Sequence, residues 1–179
     1  FSSGNEVVSN GSFALQSGQI RDANGPYLKS ALTESGMAKT KFAGVLSDDI
    51  EQFKTTILNE FDETDIFVST GGVSAGRHDF IPEALRDIGA EIQFYKVAIR
   101  PGKPILYATF SNGKHYFGLP GNPISATVGL RFFVLPLLHH LQSMPSEAPL
   151  KARLNRRVTK NHDFHFFAKS KVSVTAEAE

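Results

Sequence analysis

The sequence has 179 residues, 41% of them hydrophobic, and a formal charge of +1, a balance that fits one full domain with a smaller appendage and excludes a chain too polar to collapse. Cysteine is absent, which removes thiolate catalysis, zinc held on sulfur and any disulfide framework. No breaker-free apolar run reaches the roughly 18 to 20 residues that span a bilayer. Residues 1–12 carry no secretory leader pattern, so the expectation is a soluble, cytoplasmic protein with no transmembrane segment.

Phe1 running into Ser2, Ser3 and Gly4 reads as the end of a strand feeding a loop, and the start without Met reads as a cropped N-terminus. Pro26, Tyr27, Leu28, Ala31 and Leu32 then recur at helical spacing, with Pro26 suited to a first turn and Gly36 to the stop. Residues 41–46 predict a strand. Ser47 or Asp48 can cap the next helix, whose apolar face is Ile50, Phe53, Ile57, Leu58 and Phe61.

Residues 65–69 hold Ile66, Phe67 and Val68 in succession, the pattern of a strand covered on both faces. A glycine-rich loop, Thr70-Gly71-Gly72-Val73-Ser74-Ala75-Gly76, follows. A short helix is expected over 82–88, ended by Gly89, and strands over 91–99, 105–110 and 115–119. Ser111-Asn112-Gly113 forms the turn between the last two. A long helix starts near Pro123 and continues toward His140. Its apolar stretch, 124–141, is interrupted by Ser125, Thr127, Gly129, Arg131 and Pro136, and so reads as a buried or interfacial helix.

Strands alternating with helices at these lengths predict a three-layer α/β/α domain over residues 1–144 with a mostly parallel mixed sheet. The turn at Asn112 adds at least one antiparallel strand. Residues 145–150 read as a linker. Residues 151–179 read as the start of a small β-rich domain or as a basic arm, with strand-like stretches at 164–167 and 171–175. Between residues 151 and 171 there are seven Lys or Arg against one acid, Asp163. A solvated charged face accounts for that run more readily than nucleic-acid binding, and no nucleic-acid partner is expected.

The Thr70–Gly76 stretch suits a binding crevice for a phosphorylated ligand, because glycines permit close approach and successive N–H groups can converge on an anion. The sequence lacks the Gly-Lys-Ser/Thr ending of a phosphate loop and the Rossmann glycine pattern, so ATPase and nicotinamide readings lose their usual basis. Leu119-Pro120-Gly121-Asn122-Pro123 is a second unusual loop, whose helix-start amides could complete an anion crevice, while Asn122 could equally serve as a simple cap. Glu6, Asp22 and Asp79 are candidate oxygen ligands for magnesium. Each also has a structural alternative, Asp22 as an Asx-turn or capping residue, Asp79 as a cap of the Pro82 helix, and Glu6 as a solvated side chain. Lys96 and Arg100, four apart, would share a face of an extended strand and could hold phosphate or an oxyanion, with Lys103 nearby. His78, the pair His139 and His140, and His162 with His165 form no compact zinc constellation.

Four segments taken together resemble the molybdenum-cofactor biosynthesis family, specifically its molybdopterin molybdenumtransferase branch, also represented by the enzymatic domain of gephyrin. They are Phe1-Ser2-Ser3-Gly4-Asn5-Glu6; Gly18-Gln19-Ile20-Arg21-Asp22-Ala23-Asn24; Ser69-Thr70-Gly71-Gly72-Val73-Ser74-Ala75-Gly76-Arg77-His78-Asp79; and Lys96-Val97-Ala98-Ile99-Arg100-Pro101-Gly102-Lys103-Pro104 followed by Gly118-Leu119-Pro120-Gly121-Asn122-Pro123-Ile124-Ser125-Ala126. The resemblance implies a molybdopterin-binding α/β domain, preceded by further domains and followed by a β-rich one. It implies insertion of molybdate into adenylylated molybdopterin, with release of AMP, with magnesium as cofactor and a homodimer in the intact protein. Adenylylation of molybdopterin and noncatalytic pterin binding or scaffolding are the alternatives. By the same resemblance, Glu6, Asp22 and Asp79 belong to the metal site, and Asp22, Asp79, Lys96 and Arg100 carry the chemistry. Gly71, Gly72, Ser74, Gly76, Pro120, Gly121, Asn122 and Ser125 shape the pterin-nucleotide pocket. Asn5 stands where the family commonly has Asp, Arg77 where it has an acid, and Arg100 where it has Lys.

Overall fold

The computed structural model describes residues 1–11, 14–73, 80–159 and 163–173. Its centre is a six-stranded sheet built from β1 (Ser2–Ser3), β4 (Val45–Leu46), β5 (Ile66–Thr70), β6 (Ala90–Tyr95), β8 (Leu106–Phe110) and β9 (His115–Leu119), in the order β4-β1-β5-β9-β8-β6. Strands β4, β1, β5 and β9 are parallel. β8 runs against both β9 and β6, which is the antiparallel strand that the turn at Asn112 requires. Gly113, with φ +82°, closes that turn.

Alternation along the strands separates two cores. Phe67 and Tyr116 face one side, where they meet Phe53 and Ile57 of α2 (Ile50–Asn59) and Ile81 and Leu85 of α3 (Ile81–Asp87). Val68 and Phe117 face the other, against Leu28 of α1 (Asn24–Glu34) and Ala126, Leu130, Val134 and Leu138 of the long helix. This is the three-layer arrangement expected from the period-2 and period-3.6 patterns.

The long helix, Pro123–Leu141, has the length and apolarity of a membrane span. Its inner face is nevertheless spent on the sheet, on Ile105, Phe117 and Leu119. It comprises α4 (Pro123–Gly129), a π-helical turn at Leu130–Val134 and α5 (Leu135–Leu141). The wider turn lies just before Pro136, whose ring would otherwise press on the carbonyl one turn back.

Local chemistry moved several element ends. The cap of α2 is Asp49, whose carboxylate accepts from the Gln52 amide at 2.6 Å, rather than Ser47 or Asp48. Only Val45–Leu46 of the expected 41–46 strand pairs, because β1 offers two residues to pair with. The expected 91–99 strand is broken at Lys96, which has φ +68° and donates its amide to Ile105 O at 2.9 Å. The chain resumes as β7 (Ile99–Arg100). Lys96 and Arg100 therefore do not share the face of one continuous strand. β7 pairs in parallel with β10 (His165–Phe166) from the basic segment, and the Phe167 ring packs at a tilt against Phe132 with ring centroids 4.3 Å apart. Residues 171–173 form no strand, and the rest of the expected 171–175 stretch lies outside the described residues.

Candidate functional site

Strand order opens the site. From β1 the chain leaves through α1 toward β4 at one edge, whereas from β5 it leaves through α3 toward β6 at the other. The two connections diverge between β1 and β5, and open sheets bind ligands at that point, beyond the carboxyl ends of the strands. A crevice of about 450 Å³ lies there, within the range of small-molecule sites.

Its walls are the loops singled out by composition. Gly71, at φ +87°, donates its amide to Leu119 O at 3.0 Å, so the glycine loop is tied to the end of β9. A Cβ on Gly71 would sit 2.1 Å from the Ser3 carbonyl oxygen, and one on Gly121 would sit 3.7 Å from Gly71 Cα. The loops after β1 and β5 thus touch at a position with no room for a side chain, and the loop after β9 comes within van der Waals reach of Gly71. Asn24 Nδ2 completes the wall by donating to Gly121 O at 2.8 Å.

Asp22 reaches the floor by way of a short ladder, β2 (Val7–Val8) with β3 (Ile20–Arg21), in which Ile20 N donates to Glu6 O and Asp22 N to Val8 O. The carboxylate is 4% exposed. Its Oδ1 accepts from Ser2 Oγ at 2.8 Å and from Gly25 N at 3.1 Å. Its Oδ2 has no hydrogen-bond partner, the one such buried side-chain atom among the described residues. Capping of α1 and placement in the crevice are therefore combined in one residue. An unsatisfied buried carboxylate oxygen calls for a ligand, because buried polar atoms without partners are rare and costly.

Glu6, Asp22, Gly71, Gly72, Gly121 and Asn122 all line the crevice. Lys96, Arg100, Pro120 and Ser125 are not among its lining residues. The Lys96 ammonium rests 4.5 Å above the Tyr95 ring, and Arg100 sits on β7 beneath the basic segment. Ser74, Gly76 and Asp79, with Arg77 and His78, lie outside the described residues. Three backbone amides of the two loops anticipated from sequence as anion donors are already used. The amides of Ile124 and Ser125 both bond to Asn122 Oδ1, at 3.1 and 3.2 Å, and the Gly71 amide bonds to Leu119.

Asp48 is the site residue that sequence reasoning treated only as a possible cap. It lines the crevice, accepting from Ser3 Oγ at 3.0 Å and from the Asn5 amide at 3.4 Å, while its own amide donates to Asn5 Oδ1 at 3.1 Å. The signal was its place just past β4, the parallel neighbour of β1, at the same end of the sheet as the glycine loops. Asn5 acts here as an acceptor, a task a carboxylate at that position would also perform.

Among the described lining residues, Glu6, Asp22 and Asp48 are acidic and Arg21 is basic. A phosphate entering such a crevice needs a cation with it. The described residues contain no cluster of three His, Cys, Asp or Glu that would hold a metal without help from a ligand.

The family profile described as a probable molybdopterin binding domain matches residues 1–140. The chain belongs to this molybdenum-cofactor biosynthesis family. Within the molybdopterin-binding domain family it is similar to curated proteins named molybdopterin molybdenumtransferase. It is 34% identical to that of Staphylococcus aureus (strain Mu50) over 90% of this chain and 39% of that protein. It is 33% identical to that of Staphylococcus epidermidis (strain ATCC 12228) over 90% of this chain and 38% of that protein. The chain thus spans about two fifths of the length of these relatives. Among solved structures it resembles a molybdopterin biosynthesis MoeA protein from Pyrococcus horikosii, with 37% identity and a TM-score of 0.68 over 78% of this chain and 33% of that one. A structure titled for MogA, at 17% identity and a TM-score of 0.55 over 79% of this chain and 98% of that one, shares the fold.

Proposed function

We propose that the intact protein inserts molybdate into adenylylated molybdopterin and releases AMP. The observation that carries this reading is the buried Asp22 carboxylate, its Oδ2 unpartnered, at the floor of a crevice walled by the Gly71 and Gly121 loops. The names of the similar proteins supply the reaction class.

In this reading the crevice takes the pterin nucleotide, with Gly71, Gly72, Gly121 and Asn122 admitting it close to the backbone. Ser74 and Gly76 belong to the same proposed pocket, and Pro120 and Ser125 flank its Gly121–Asn122 wall from outside. Carboxylate oxygens suit magnesium in general, and Asp22, Glu6 and Asp79 would hold it together with ligand oxygens, while Asp48 lines the same crevice as Asp22 and Glu6. When bound it would offset the charge of phosphate against an acidic crevice. Lys96 and Arg100, which lie outside the crevice, would meet only phosphate or molybdate oxygens that extend beyond it. The sulfur that receives molybdenum belongs to the pterin, so the absence of cysteine from this chain is no objection to the chemistry. Residues 1–144 form the pterin-binding domain, 145–150 the linker and 151–179 the start of a β-rich domain, in a homodimeric, cytoplasmic protein.

The test is an assay of the intact protein with adenylylated molybdopterin, molybdate and magnesium. Formation of molybdenum cofactor with stoichiometric AMP is expected. Product at background level overturns the reading, and accumulation of adenylylated pterin from molybdopterin and ATP would replace it with adenylyl transfer.

A further inference from the structure

The Asp22 carboxylate is held by hydroxyls from two other strands. Ser2 and Thr70 are register partners on β1 and β5, each 2% exposed. Thr70 Oγ1 donates to Ser2 Oγ at 3.2 Å, and Ser2 Oγ donates to Asp22 Oδ1 at 2.8 Å. Buried hydroxyls are costly unless their bonds are made, and an apolar pair would fill the same strand positions without that cost. Among the described residues, the donors to this carboxylate all arrive at Oδ1, since Gly25 N bonds there as well, and Oδ2 is left with none. A Cβ on Gly25 would lie 2.5 Å from Oδ2 and 2.3 Å from the Phe42 ring, so only glycine fits between them.

We propose that Ser2 and Thr70 are positioning residues that act through Asp22, a hydroxyl relay that fixes its carboxylate by one oxygen and leaves the other for a divalent cation. The inference rests on the assignment of Asp22 to a cation site. It adds that the strand ends, and not only the acid, determine how well that site binds. Losing an outer partner of a metal ligand weakens metal binding about tenfold or more.

The experiment uses the intact protein and manganese(II) as the probe, with free manganese measured by electron paramagnetic resonance. Thermal denaturation is recorded on every variant. Ser2→Ala and Thr70→Val are expected to weaken manganese binding about tenfold. Thr70→Ser, which keeps the hydroxyl and removes the methyl, should bind as the unsubstituted protein does. Asp22→Asn should weaken binding at least as much, and Ser2→Ala combined with Asp22→Asn should be no weaker than Asp22→Asn alone, because the relay has nothing left to position. Normal binding by Ser2→Ala and Thr70→Val beside an impaired Asp22→Asn overturns the relay alone, as does a fully additive double variant or an equal loss in Thr70→Ser. Normal binding by Asp22→Asn, or no binding by the unsubstituted protein, overturns the cation site and the relay with it.

Discussion

The Asn24 side-chain amide donates to the Gly121 carbonyl at 2.8 Å across a separation of 97 positions. This bond joins the start of α1 to the loop before the long helix, and it sets the distance between two walls of the crevice. Asn24→Leu removes the donor and leaves a carbonyl short of a partner, at a cost of about 1 to 2 kcal/mol. Urea denaturation is expected to show that loss, and calorimetry with a pterin nucleotide should show weaker binding than denaturation alone accounts for.

Gly71 and Gly36 both have positive φ, +87° and +68°, but only Gly71 is crowded. At Gly36 nothing lies within 4 Å of a new Cβ, whereas at Gly71 the Ser3 carbonyl oxygen is 2.1 Å away. Gly36→Ala should cost about 1 to 2 kcal/mol, the strain of a left-handed residue. Gly71→Ala adds a clash with backbone and should cost roughly 3 kcal/mol or more. Equilibrium unfolding of the two variants side by side measures the difference, and equal losses would refute the close approach of the two loops.

Tyr116 and Ser69 are fully buried, their hydroxyls 2.5 Å apart. Burial pushes the Tyr116 phenol well above its ordinary value of 10.0, and the Ser69 bond offsets this only in part. The folded state therefore keeps a proton that the unfolded chain releases. The stability associated with this group is complete below pH 10 and declines as the pH rises past it. Tyr116→Phe should flatten that alkaline decline in a series of denaturation curves. It should also cost about 1 to 2 kcal/mol at neutral pH by stranding Ser69.

Asp22→Asn keeps the size of the side chain and an oxygen for Ser2 and Gly25, but removes the charge. Molybdenum transfer by the intact protein is expected to fall by at least 100-fold, on the order of 3 kcal/mol in the barrier, with little change in melting temperature. Turnover within about threefold of the unsubstituted protein would exclude Asp22 from the chemistry.

Much of the fold was legible because burial imposes periodicity. Residues 66–68 and the spacing of Phe53 and Ile57 could be read directly as a strand and a helix face, whereas Leu58 of the expected face is exposed and Phe61 follows the end of α2. Lys96 was not legible in this way. Its positive φ comes from bonds to Ile105 and, through Val97, to Lys103, contacts made only after the chain has turned. Asp48 was hidden for a related reason. A Ser-Asp-Asp run before a helix looks like a cap, and only the helix geometry shows that Asp49 takes that role and leaves Asp48 to Ser3 and Asn5.

Sequence by itself determined the layer architecture, the family and the identity of the two glycine loops, since these depend on local pattern and on residue types that few positions tolerate. Tertiary structure alone decided that the loops meet, that Asp22 keeps one oxygen unpartnered, and that the Gly71, Ile124 and Ser125 amides are already taken. Those facts depend on strand order and on hydrogen bonds between residues far apart in the chain. No local pattern records which strands become neighbours, or which donors they consume in doing so.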